Sequence, residues 1–114
     1  MGKALANERH KAVLDSLLLA LSGVVSGKMF GYPAYYVKRK LFACVYGDGV
    51  GVKVRKEFAK DLLSEDDIVP FQPMGKARMR ERIQINHSNS EDYRRDIEIF
   101  KAAVAYVGAL KKGR

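Results

Sequence analysis

Between Glu8 and Ser22 the apolar positions follow a three- and four-residue rhythm: Val13, Leu14, Leu17, Leu18 and Leu21 share one stripe, while Glu8, Arg9, Lys11 and Asp15 fall largely outside it. This spacing predicts an amphipathic helix from about Leu5 to Leu21. Ser22-Gly23 supplies its stop, because glycine readily takes the left-handed conformation that ends a helix.

Beyond Gly23 the rhythm changes to two. Val24-Val25 and Lys28-Met29-Phe30 read as a short first strand interrupted at Ser26-Gly27, where a glycine marks a bulge or a close approach of backbone. Tyr32-Pro33-Ala34-Tyr35-Tyr36-Val37 is rich in aromatic and β-branched residues. Its Pro33 cannot donate to a ladder, so it belongs at the strand's beginning or on an edge. Lys38-Arg39-Lys40 then forms a solvated hairpin tip. Strict alternation sends Leu41, Ala43 and Val45 to one face of the next strand and Phe42, Cys44 and Tyr46 to the other. Both sets are apolar, which places this strand at the centre of a sheet. Gly47-Asp48-Gly49 is a hairpin signal, and Val50, Val52 and Val54 then alternate with Gly51, Lys53 and Arg55. The expected fourth strand has one wet face.

Phe58, Ala59, Leu62 and Leu63 sit at helical spacing, so Lys56 to Leu63 is a short helix that ends in the acidic run Glu65-Asp66-Asp67. The prolines and glycine of Pro70-Phe71-Gln72-Pro73-Met74-Gly75 favour an extended or looped path. From Arg78 to Ile85 a strand pattern resumes, with Arg78, Arg80, Arg82 and Gln84 on one face and Met79, Glu81, Ile83 and Ile85 on the other. Glu81 interrupts the inner face, which argues for an edge position. Ser88 and Glu91 have capping-box spacing, and Tyr93, Ile97, Phe100, Val104, Val107 and Leu110 continue at three- and four-residue steps as a long closing helix. The order helix, strands, short helix, strand, helix predicts an α+β fold. Its two layers are an antiparallel sheet of about five strands and amino- and carboxy-terminal helices packed largely on one face.

Length changes this picture little: 114 residues with 47% hydrophobic content suit a single domain over residues 1–114 with one core. No apolar run approaches the roughly 20 residues a membrane span requires; Leu17 to Leu21 is five. Charged Glu8-Arg9-His10-Lys11 stands where a signal peptide would be apolar. The single cysteine, Cys44, has no partner for an internal disulfide. These features together lead to the expectation of a cytoplasmic protein without a membrane partner.

Charge adds more, since 21 Lys and Arg against 13 Asp and Glu give a net charge of +8. Such a balance attracts polyanions at long range, and it equally keeps a small domain soluble. Lys38, Arg39, Lys40, Arg78, Arg80 and Arg82 are the candidate nucleic-acid contacts, with Tyr32, Tyr35 or Tyr36 available to stack on bases. The alternative is a solvated sheet face.

Searches for catalytic chemistry return little. A reactive cysteine needs a cation to lower its pKa, and nothing in the sequence brings His10 or His87 to Cys44. Zinc sites need three or four Cys, His or carboxylate ligands at fixed spacings, which are absent here, so no metal and no cofactor is expected. Gly23-Val24-Val25-Ser26-Gly27-Lys28-Met29 fails as a phosphate-binding loop. Its glycines are one residue too close, and Met29 stands where a Ser or Thr would hold magnesium.

Met29-Phe30-Gly31 after a helix, a strand with a basic turn, Leu41-Phe42-Ala43, a small-residue turn and the Lys53-bearing Val52-Lys53-Val54 together resemble the TfoX amino-terminal-domain-like family. The resemblance covers about residues 10 to 110. It implies a two-layer α+β fold and no established catalytic residues, with Met29, Phe30, Gly31 and Lys53 as structural motif positions. It further implies a stand-alone member without the carboxy-terminal helical domain of competence regulators. The expected function is therefore a non-enzymatic interaction or regulatory module with a protein partner or self-association. Direct nucleic-acid binding is the alternative. A small-molecule binder or enzyme, with a pocket near Met29-Phe30-Gly31 and Cys44, is a third reading.

Overall fold

The first helix begins where its free amides find an acceptor. In the computed structural model, which describes residues 6–72 and 80–110, the Asn7 side-chain oxygen accepts from the Arg9 and His10 amides and starts α1, Glu8–Leu18. Val13, Leu14 and Leu18 are buried along its stripe. The chain turns through Gly23 at φ 81 into β1, Val24–Met29, and then β2, Tyr32–Val37. β3, Lys40–Tyr46, and β4, Gly49–Lys53, complete a meander, after which α2, Lys56–Leu62, leads to β5, Ile68–Pro70, and β6, Arg82–Ile85. A 3-10 helix over Ser90–Asp96 runs into α3, Ile97–Ala109.

The six strands form one antiparallel sheet in the order β1-β2-β3-β4-β6-β5. The fold is thus the expected α+β arrangement, with one more strand than anticipated. α1, the 3-10 helix and α3 bury one sheet face, where Leu14, Leu18, Tyr35, Phe42, Val45, Val50, Ile83, Ile85, Tyr93 and Phe100 form the main core.

Several local expectations are corrected. β1 runs without interruption, and Gly27 marks a close approach instead, since a Cβ there would lie 3.1 Å from the Tyr36 ring. The pairing of β2 with β3 shifts register between Tyr35 and Tyr36, leaving Phe42 as an extra residue. Phe42 therefore joins Ala43 and Val45 in the main core, while Leu41 moves to the side of Cys44 and Tyr46. Strict alternation had assigned Phe42 and Leu41 to the opposite faces. The bulge absorbs one residue and changes the phase.

β6 is four residues long and lies between β4 and β5, so it is an interior strand; Arg80 and Glu81 form the turn before it. Glu81 is not an inner-face intrusion, because its carboxylate pairs with Lys53 at 3.8 Å and accepts from the Tyr106 hydroxyl at 3.0 Å. The closing helix is capped by Asn89, whose side chain accepts from the Glu91 amide, and its first seven residues are 3-10.

The outer sheet face is not wet at β4. Ala34, Cys44 and Phe71 form a second small core there, flanked by Met29, Tyr36, Leu41 and Tyr46. A Cβ on Gly51 would lie 2.9 Å from the Phe71 ring, so glycine lets Phe71 fold over β4. Gly51→Val should destabilise the protein by about 1–3 kcal/mol through overpacking at this ring. A fall in the urea midpoint at unchanged slope checks it.

Candidate nucleic-acid interface

Register decides which charges meet. Val37 pairs with Lys40 at the β2-β3 hairpin, Ala43 with Val52, and Lys53 with Arg82. The hairpin tip Lys38-Arg39, the β4 exit at Lys53 and Arg55, and the β6 entry at Arg80 and Arg82 consequently share one end of the sheet. Within those same segments only Glu81 is acidic, and it pairs with Lys53. At the opposite end lie Asp48 in the β3-β4 turn, Asp66 and Asp67 before β5, and Glu91, Asp92 and Asp96 of the 3-10 helix. Glu91 and Asp92 are offset there by Arg94 and Arg95.

The tip carries a conformational cost. Lys38 and Arg39 have φ of 50 and 68, the left-handed region that side chains with a Cβ rarely adopt. Two-residue hairpins of this kind are normally supplied with Asn-Gly, which takes the conformation cheaply. Here two cations are held outward at positions where neither is favoured locally. Strain of this sort collects at functional sites.

Each candidate contact has a definite place. Lys38 and Arg39 are exposed at the tip, and Arg80 is exposed in the turn before β6. Lys40 belongs to β3 and donates from Nζ to the Leu110 carbonyl, so it fastens the end of α3. Arg82 is half-buried on the outer face, where desolvation lowers its pKa and the neighbouring Glu81 carboxylate opposes that. Arg78 lies outside the described residues. Among the described residues the expected arginine ladder is represented by Arg80 in the turn and Arg82 in β6. Lys53, at the end of β4 and paired with Glu81, and Arg55 just beyond it stand at the same end.

The tyrosines do not supply a stacking platform. Tyr32 is buried; Tyr35 lies in the main core, its hydroxyl donating to Asp15 at 2.5 Å; Tyr36 is half-buried and donates to the Lys28 carbonyl at 2.8 Å. Burial also pushes the Cys44 thiol up to about 11, so it is protonated and unreactive at neutral pH. Among the motif positions, Met29 packs beside Cys44, Gly31 takes φ 87 in the β1-β2 turn, and Phe30 stands exposed at that tip.

Sequence reasoning missed the cluster at the acidic end. His10 is fully buried: its Nε2 donates to the Asp48 carbonyl at 2.9 Å, which leaves Nδ1 to accept from the Ser90 hydroxyl at 2.6 Å. His87 meets Asp96 at 2.7 Å through Nε2 and Asp67 at 3.5 Å through Nδ1. Both imidazoles stand edge-on to the Tyr93 ring, at 4.8 and 4.7 Å between centroids. Desolvation holds the Asp96 carboxyl above its usual value, opposed by its bond to His87. A cleft of about 450 Å³ opens beside Asn7, His10, Asp48, Asn86, His87 and Ser88. Every imidazole nitrogen already has a partner, and no group of three or more metal-binding side chains occurs among the described residues. The arrangement joins α1, the β3-β4 turn and the 3-10 helix. Its only signal in the sequence is two histidines in polar surroundings, far apart in the chain.

No family model, curated protein or solved structure matches this chain.

Proposed function

We propose that this protein is a non-enzymatic binding module that takes the phosphate backbone of a nucleic acid on the basic end of its sheet. The observation that carries this reading is the convergence of Arg55, Arg80 and the strained Lys38-Arg39 tip, drawn from three separated segments, on one edge of the molecule. Contacts of this kind go to phosphates and carry no sequence code, and Tyr32 and Tyr35, buried, and Tyr36, held against β1, offer no platform for bases. The resemblance to TfoX amino-terminal-like domains supports the same non-enzymatic class.

The test is a fluorescence-anisotropy titration with short single- and double-stranded DNA and RNA, from low to physiological salt. Binding is expected to survive at physiological salt and to weaken linearly in log salt, by about 0.9 log unit per duplex phosphate contact. Loss of all binding at physiological salt would overturn the proposal and reduce the +8 charge to nonspecific attraction.

A further inference from the structure

We infer that the outer edge of β1 accepts an extended peptide strand with apolar and acidic residues in alternation, anchored on Phe30. This surface is separate from the phosphate-binding end, and it takes a different class of ligand.

Among the described residues β1 pairs only with β2, and Val25, Ser26, Gly27 and Lys28 are all exposed. The strand has six residues, no proline, an unbroken register and one charge. Edges of that kind are normally shortened, bulged or covered, because their open amides and carbonyls are a template for another strand. β1 is neither shortened nor bulged; its Lys28 carbonyl accepts from the Tyr36 hydroxyl and its Val24 amide donates to the Leu21 carbonyl, so the middle of the strand is the open part.

Phe30 adds a second, independent observation. It is 74% exposed and has φ 51, so a bulky aromatic occupies a left-handed position and faces water at once. A residue such as asparagine avoids both costs, since it tolerates this backbone and is polar. Nothing within the described chain relieves either cost for Phe30. Burial in a partner relieves the second. Val25, 57% exposed, lies on the same side of β1 as Gly27 and Met29, where the Tyr36 ring covers Gly27. Together they form an apolar strip that ends at Phe30.

Charge selects the occupant. Lys28 is the single charge on β1, and no Asp or Glu occurs between Asp15 and Asp48. An acidic strand would be attracted to Lys28. Directly opposed residues of an antiparallel pair share a face. The incoming strand therefore sets apolar side chains beside Val25 and Met29 and carboxylates beside Ser26 and Lys28. Main-chain hydrogen bonds supply affinity and the alternate side chains supply selection, as in other strand-addition complexes.

The experiment uses the full chain and three fluorescent octapeptides: alternating Val-Glu, alternating Val-Lys, and Val-Glu with alternate backbone nitrogens methylated. The first is expected to bind, and the other two to bind at least about tenfold more weakly, since one has the wrong charge and the other lacks ladder donors. Phe30→Asn should weaken the Val-Glu peptide by a further factor of about ten while raising the thermal midpoint by a few degrees. It should leave nucleic-acid anisotropy unchanged, so that failure here and failure of the phosphate-binding reading are distinguishable. Equal binding of the methylated peptide, unchanged binding by Phe30→Asn, or no binding of Val-Glu at all would each overturn the inference.

Discussion

Tyr93→Ala should lower the thermal midpoint by about 12–20 °C, because truncating a buried aromatic costs about 3–5 kcal/mol and a chain of this length loses about 4 °C per kcal/mol. Tyr93 is fully enclosed, and its ring is the common neighbour of His10 from α1 and His87 from the loop after β6. Its hydroxyl accepts from the His87 amide at 3.2 Å and donates to the Ile85 carbonyl at 2.9 Å. Tyr93→Phe separates the two contributions. It keeps the ring and strands a buried donor and acceptor, which costs about 1–3 kcal/mol. Differential scanning calorimetry of both variants checks the ordering. A Phe variant as damaged as the Ala variant would mean that the hydrogen bonds, not the packing, hold this end together.

Tyr93 also marks where the sequence stops being legible. Its place in the closing helix is readable from spacing with Ile97, Phe100, Val104 and Val107, and Phe100 and Val107 are indeed buried. Its two histidine neighbours are not readable, because they come from opposite ends of the chain and are joined only by tertiary packing. The same limit explains the face of Phe42. Period-two reasoning is correct along β4 and just past it, where Val50, Val52 and Val54 are all buried, and it fails in β3 because a bulge leaves no compositional mark. Alternation puts Gly51 on the wet side of β4, since nothing local announces that Phe71, twenty residues later, covers it. The basic site divides in the same way. Lys38-Arg39 is visible as a hairpin tip, yet its left-handed backbone and its meeting with Arg55 and Arg80 follow from register, which the residues alone do not state. Lys40 looked like a third tip residue and instead points to the end of α3.

The phosphate-binding reading has its sharpest consequence in the variant Lys38→Asn, Arg39→Gly, Arg55→Ala, Arg80→Ala. Removing four contacts should flatten the salt dependence of duplex binding by about 3.6 log units per log salt and lower affinity by roughly two orders of magnitude or more at low salt. The tip substitutions act on the fold in the opposite direction. Asn-Gly takes the left-handed turn that Lys38 and Arg39 occupy at φ 50 and 68, so the folded state should gain about 1 kcal/mol or more as binding is lost. A protein that becomes more stable while losing its ligand has had a strained site removed, and general damage cannot mimic that pair of signs. Urea unfolding and anisotropy on the same preparation measure both. A destabilised variant would place the value of Lys38 and Arg39 in the hairpin itself, and an unchanged salt slope would remove this end of the sheet from nucleic-acid recognition altogether.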